Sequence, residues 1–198
     1  MSRNSLILER ATLKRTTPGL TETVTHTGEY LGLIRQLFRG PSVVALVESG
    51  TGTRSAEACR GIAAELAASG NRVVIVQVRA LLAMSEIPEV AAYQPGRVAN
   101  VSLWPSTVGA PIEFFQSPAS VPSHGDWVGF LRRDFDSVLL DCPCVETAPS
   151  AGAIAAQADA AVLVVEAGKT SRRQIQGDQE ALRLRGVKLA GCILMRKR

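Results

Sequence analysis

Val43-Val44-Ala45-Leu46-Val47 is a short continuous apolar run that leads through Glu48 into Ser49-Gly50-Thr51-Gly52-Thr53-Arg54-Ser55. An uninterrupted run of this kind marks a strand buried on both faces, because a strand with one wet face would alternate apolar with polar residues. An Ala-rich helix follows from about Ser55 to Ala68, with Gly70 as its stop, and Val73-Val74-Ile75-Val76 is the next buried strand. Strand, Gly-containing loop, helix and strand form a crossover unit of ordinary length, which predicts a parallel sheet.

The pattern repeats outward from this unit. Upstream, Glu29 to Phe38 places Leu31, Ile34, Leu37 and Phe38 at helical spacing, and Gly40-Pro41 ends the helix. Downstream, Ser137 to Leu140 reads as a buried strand ending at Asp141, Ala151 to Ala158 as a small-residue helix, and Ala161 to Val165 as another buried strand. Ser171 to Arg185 is a helix stopped by Gly186, and Leu189 to Met195 is a last strand. Between these, Val98 to Leu103 reads as a short strand, Pro105 to Pro122 as loop, and Trp127 to Leu131 as the start of a helix. The expected fold is α/β: a doubly wound, mostly parallel sheet with helices on both faces, of the P-loop NTPase-like kind. Residues 1–25 are polar and broken by Thr16-Thr17-Pro18-Gly19, so a flexible lead-in is expected there and a single domain over 26–198.

Composition limits the function classes. The chain has 198 residues, 46% of them hydrophobic and 20% charged, with a mean hydropathy of +0.13. Global disorder is excluded by the apolar content. No stretch approaches the roughly 20 apolar residues that a spanning helix needs, and the first residues lack a secretory apolar core, so a cytoplasmic protein is expected. The net charge of +4 is uneven: residues 169–198 hold nine basic side chains against Asp178 and Glu180, leaving 1–168 at −3. Such a segment suits an acidic partner, anionic lipid or nucleic acid, or more plainly a solvated helix face with a basic chain end. It contains no aromatic residue, so nucleic acid is not expected as a partner. The four cysteines, Cys59, Cys142, Cys144 and Cys192, lie in or beside apolar runs and read as buried thiols, with the Cys142-x-Cys144 pair a weak pointer to metal or redox chemistry.

In a doubly wound fold ligands bind at the carboxyl ends of the strands. The loop at 49–55 is the first such place, and Gly50, Thr51, Gly52, Thr53, Arg54 and Ser55 are the candidate phosphate- or nucleotide-binding residues. A phosphate loop presents backbone N–H groups to the anion, a Lys to the outer phosphates and a Ser or Thr to magnesium. Here Arg54 stands where the Lys is required and Thr53 where the preceding Gly is required. A frame one residue later makes Gly52 the loop glycine and puts Ser55 at the Lys position; neither frame completes the motif. Arg is not equivalent to Lys, because its planar fork is bulkier and differently hydrated. Asp141, at the end of the third buried strand, is the candidate magnesium ligand with Ser55, and the catalytic candidate if the chain is active. The plainer readings are that Asp141 caps the turn at Pro143, that Arg54 pairs with Glu57, and that Trp104 and Trp127 pack.

Phe135-Asp136-Ser137-Val138-Leu139-Leu140-Asp141-Cys142-Pro143, Ala158-Asp159 before Ala161 to Val165, Ala167-Gly168-Lys169-Thr170, Arg172-Arg173 and Gly186-Val187-Lys188-Leu189-Ala190-Gly191 together resemble the P-loop domain of bacterial tyrosine kinases of the CpsD/CapB type, within the deviant-Walker MinD/ParA group. The similarity runs over roughly residues 27–198, strongest over 133–198. The resemblance implies ATP and Mg²⁺ as cofactors, and as partners a membrane polysaccharide co-polymerase (Wzz-like), a related kinase or further copies of the chain. It also implies a place at the inner face of the cell membrane. The departures fall where such kinases keep their catalysis. Gln77 and Arg79 occupy the two places of an Asp-Ala-Asp pair, where Gln cannot accept a tyrosine proton and Arg repels Mg²⁺. Met195 replaces a common Asn, and only Tyr30 and Tyr93 stand for a tyrosine-rich tail. The expected function is therefore a catalytically impaired, kinase-like regulatory or partner-binding module in exopolysaccharide or capsule biosynthesis and export. The alternatives are an ATP-binding tyrosine kinase or ATPase with atypical motifs, and a MinD/ParA-like membrane-surface positioning module.

Overall fold

A computed structural model describes residues 7–9, 30–40, 42–52, 54–83, 94–95, 101–104 and 127–196. In chain order the elements are β1 (Ile7–Glu9), α1 (Leu31–Leu37), β2 (Ser42–Ser49), α2 (Arg54–Ala68), β3 (Val73–Gln77), α3 (Val78–Leu82), β4 (Gln94–Pro95), β5 (Val101–Trp104), α4 (Trp127–Asp134), β6 (Ser137–Cys142), α5 (Pro149–Ala155), β7 (Ala160–Glu166), α6 (Arg172–Leu184) and β8 (Leu189–Met195). The strands join one eight-stranded sheet in the order β1-β8-β7-β2-β6-β3-β5-β4. Neighbouring strands run parallel except for β4 against β5 at one edge.

Both faces of the sheet are covered, as the apolar runs require. Along β2 the side chains alternate: Val43, Ala45 and Val47 pack with residues of α3 to α6, and Val44 and Leu46 pack with residues of α1 and α2. These five side chains are at most 1% exposed, and burying each of the larger ones contributes about 1.5–3 kcal/mol. Helices α2 and α6 stop at Gly70 and Gly186, as read from the sequence, with φ of 87° and 74°. The amino end of the sheet is tied by Asp159. Its carboxylate accepts the Val43 N–H at 2.8 Å and a two-pronged contact from the Arg132 guanidinium at 2.8 and 2.9 Å.

Two details depart from the sequence reading. Within the stretch read as a loose lead-in, Ile7–Glu9 forms an edge strand in register with Cys192 to Leu194 of β8; three residues in a polar surrounding are too short to show a period. The strand expected over Val98 to Leu103 is observed as Val101–Trp104, and the Gln94–Pro95 strand beside it was not expected. The loop expected over Pro105 to Pro122 lies outside the described residues, as does the rest of 1–25.

Candidate functional site

The carboxyl ends of β2, β6, β3 and β7 lie side by side. They bring Glu48 and Ser49, Asp141, Gln77 and Glu166 to one rim, with the amino end of α2 above it. Asp141 is in register with Leu46 on one side and Gln77 on the other.

The centre of this rim is occupied by a residue that the sequence reading did not single out. Glu48 is 1% exposed, and its Oε2 accepts the Ser55 backbone N–H at 2.6 Å. The Arg54 N–H and the Ser55 hydroxyl also reach this carboxylate. These are the donors that a helix amino terminus offers to an anion; here the anion is the protein's own. The other oxygen, Oε1, is buried without a hydrogen-bond partner. Burial pushes the Glu48 carboxyl above its ordinary value, the Ser55 and Arg54 donors oppose that rise, and the nearby Asp141 charge adds to it. The signal was available in position: in the pattern G-x-x-x-x-G-K-[ST], counting back seven residues from Ser55 puts Glu48 where the first glycine belongs.

Ser55 stands between two carboxylates, since its hydroxyl also hydrogen-bonds Asp141. A hydroxyl carries one proton, so it donates to only one of them at a time. Burial raises the Asp141 carboxyl, against the pull of Ser55, Arg60 and Arg79. The structure thus brings Ser55 and Asp141 together, and with α2 beginning at Arg54 it favours the frame in which Arg54 takes the Lys place. Arg54 itself is turned along the rim. Its guanidinium holds Glu57 at 2.5 Å, Glu166 at 3.5 Å and the Arg196 carbonyl at 3.3 Å. The pairing with Glu57 is the plainer of its two sequence readings. Gly50 is buried, Thr51 is exposed and Gly52 lies beneath the Glu48 carboxylate; Thr53 is outside the described residues. Arg79 is exposed on α3, one residue into the helix that begins straight after β3. Trp127 is in the core, and Cys59, Cys142 and Cys144 are buried free thiols, with Cys192 partly so.

Magnesium nucleotide does not fit this arrangement as it stands. A phosphate placed about 4 Å from an ionised Glu48 would be repelled by about 4 kcal/mol at an effective dielectric of about 20. That is roughly a thousandfold in affinity. A protonated Glu48 would still fill the cradle.

No protein-family model matches the sequence, and no curated protein matches it significantly. Solved structures do. The BceF tyrosine kinase domain superposes with a TM-score of 0.57 at 20% identity, over 77% of this chain and 68% of that one. The kinase domain of the Escherichia coli tyrosine kinase ETK gives 0.58 at 14% identity, over 86% and 74%. The chain shares the fold of these kinase domains. A plasmid partition protein from Borrelia burgdorferi shares it at a TM-score of 0.53 and 15% identity, over 79% of this chain and 78% of that one. The shared fold carries here a rim whose anion cradle is filled from within.

Proposed function

We propose that this chain is a catalytically impaired, tyrosine-kinase-like protein that serves as a regulatory or partner-binding module in exopolysaccharide or capsule biosynthesis and export. The observation that carries the reading is the Glu48 carboxylate on the Ser55 N–H. Phosphoryl transfer depends on positioning and charge neutralisation of phosphates, and a fixed carboxylate in the cradle opposes both. Arg54, engaged by Glu57 and Glu166, supports the same reading. The fold supports a kinase-like origin. The process, the co-polymerase or kinase partner, self-association and a location at the inner membrane face follow from the resemblance alone. No helix among the described residues is long and apolar enough to cross a membrane.

One observation favours a second reading, an ATP-binding kinase or ATPase: Ser55 and Asp141 still meet as a magnesium pair would require. That reading needs Glu48 to leave the cradle. Calorimetric titration with ATP and ADP, with and without Mg²⁺, separates the two. The proposal expects no binding by the wild-type chain and recovery of a polysaccharide co-polymerase in a pull-down. Micromolar, Mg²⁺-dependent binding that disappears in Asp141→Ala would overturn it. Nucleotide-independent attachment to anionic vesicles, lost without the final basic residues, would favour the surface-positioning alternative.

A further inference from the structure

Beside the Gly loop, on the opposite side from Asp141, lies a second cluster that the proposed function does not use. Cys144 and Glu146 follow β6, and Asp178 faces inward from α6. One ligand atom from each of the three lies within 4.8 Å of the other two. Asp178 is completely buried. Its Oδ2 accepts the Ser49 hydroxyl at 2.6 Å and its Oδ1 accepts the Cys144 thiol at 3.5 Å. Both donors are neutral, and the charge that reaches Asp178 among the described residues is another carboxylate, Glu146. A carboxylate taken fully out of water needs a positive partner or a proton, and no cationic side chain among the described residues supplies one. Burial and the Asp178 charge raise the Cys144 thiol overall, but its Sγ receives the backbone N–H groups of Gly50, Glu146 and Thr147, donors already aimed at the sulfur that a metal would take as thiolate.

We propose that Cys144, Glu146 and Asp178 form a divalent metal site of the zinc class, open to solvent at a fourth position. The geometry suits it. Zinc bonds of about 2.3 Å to sulfur and about 2.0 Å to oxygen, set at a tetrahedral angle, place the two ligand atoms about 3.5 Å apart. Cys144 Sγ and Asp178 Oδ1 already stand at 3.5 Å. A thiolate in the set selects a borderline-soft ion over Mg²⁺ or Ca²⁺, which take oxygen ligands. On binding, the Cys144 thiol releases its proton to solvent, and Oδ1 exchanges the S–H donor for the metal. Oδ2 keeps the Ser49 hydroxyl, which holds the carboxylate in orientation. Glu146 is exposed, so the ion enters from its side. The bound ion would fasten α6 to the loop after β6 and, through the Gly50 N–H on the same sulfur, set the Gly loop.

The test uses the full chain freed of metal by a chelator and titrated with Co²⁺, then Zn²⁺. The expected result is one Co²⁺ per chain with a thiolate-to-cobalt charge-transfer band, displaced by Zn²⁺ and unaffected by equimolar Mg²⁺ or Ca²⁺. The band is expected to vanish in Cys144→Ser and Asp178→Asn, and Ser49→Ala to bind about ten- to a hundredfold more weakly. Glu146→Gln changes only an exposed side chain and so keeps the test valid if the buried variants fail to fold. It is expected to weaken binding and to abolish the rise in melting temperature that Zn²⁺ gives the wild-type chain. The absence of a band, a band and melting shift that survive Glu146→Gln unchanged, or a band lost in Cys192→Ser would each overturn the proposal.

Discussion

The Glu48 carboxylate lies so close over Gly52 that a β-carbon at residue 52 would stand 2.7 Å from Oε1. No side chain fits there while Glu48 is turned into the cradle, and Glu48 is held by the Ser55 N–H and buried on every side. Gly52→Ala is therefore expected to cost about 1–3 kcal/mol, as overpacking does. The loss should shrink in a Glu48→Ala background, with a coupling of about 0.5–3 kcal/mol between neighbouring sites. Urea unfolding of the four proteins in the cycle measures it. Additive losses would show that the loop does not close on Glu48.

Glu48 also sets a pH dependence with a definite sign. Its carboxyl is raised in the fold above the ordinary glutamate value of 4.5, chiefly by burial. Folding thus shifts the carboxyl towards its protonated form relative to the unfolded chain. The associated stability is present below that value and is lost as pH rises through the raised one. Glu48→Gln keeps an acceptor for the Ser55 N–H without the charge. The chain carrying Glu48 should lose stability relative to Glu48→Gln as pH climbs from about 4.5 towards neutrality. Asp178 is raised as well, but it is present in both proteins and cancels in the difference. Asp141, coupled to Glu48 by its charge and by the shared Ser55 hydroxyl, is replaced by Asn in both proteins so that the difference reads Glu48 alone. A constant gap across that range would refute the assignment.

Arg54 is expected to behave as a surface tie rather than an anion receptor. Its partly buried contacts with Glu57 and Glu166 are of a kind that contributes roughly 0–1 kcal/mol. Arg54→Ala should lower stability within that range in a thermal melt. It should leave any calorimetric response to ATP where it was in the wild-type chain. A change in that response would return Arg54 to the phosphate.

On the same face of the sheet, the Tyr30 ring lies against α2, where a β-carbon on Gly61 would run into Cε2. Gly61→Ala is expected to destabilise by about 1–3 kcal/mol through overpacking, despite alanine's better helix propensity. Tyr30→Ala opens a void of its own, but in that background the further cost of Gly61→Ala should disappear. Denaturant midpoints of the single and double variants decide the matter.

The sheet was legible because its central strands are buried on both faces. Val43 to Val47, Val73 to Val76 and Ala161 to Val165 carry that burial in their own composition, and the glycines at 70 and 186 mark where helices must stop. The short edge strands were not, since Ile7–Glu9 and Gln94–Pro95 are specified by the neighbour that they pair with and not by a period of their own. The centre of the rim was hidden for another reason. An acidic residue at the end of an apolar run reads as a chain returning to water, and only the placement of α2 turns the Glu48 carboxylate inward. Asp178 was likewise counted among surface charges, whereas a helix face pressed against Ser49 and Cys144 removes it from solvent altogether.

Tyr30 is 5% exposed, with its hydroxyl against the Met195 sulfur at 4.0 Å. An enzyme that adds phosphate to tyrosine needs the hydroxyl presented on an accessible segment, so the folded chain withholds this one. A phosphate detected on Tyr30 would therefore be a record of the protein having opened there, and the added charge would oppose the segment's return to its buried place.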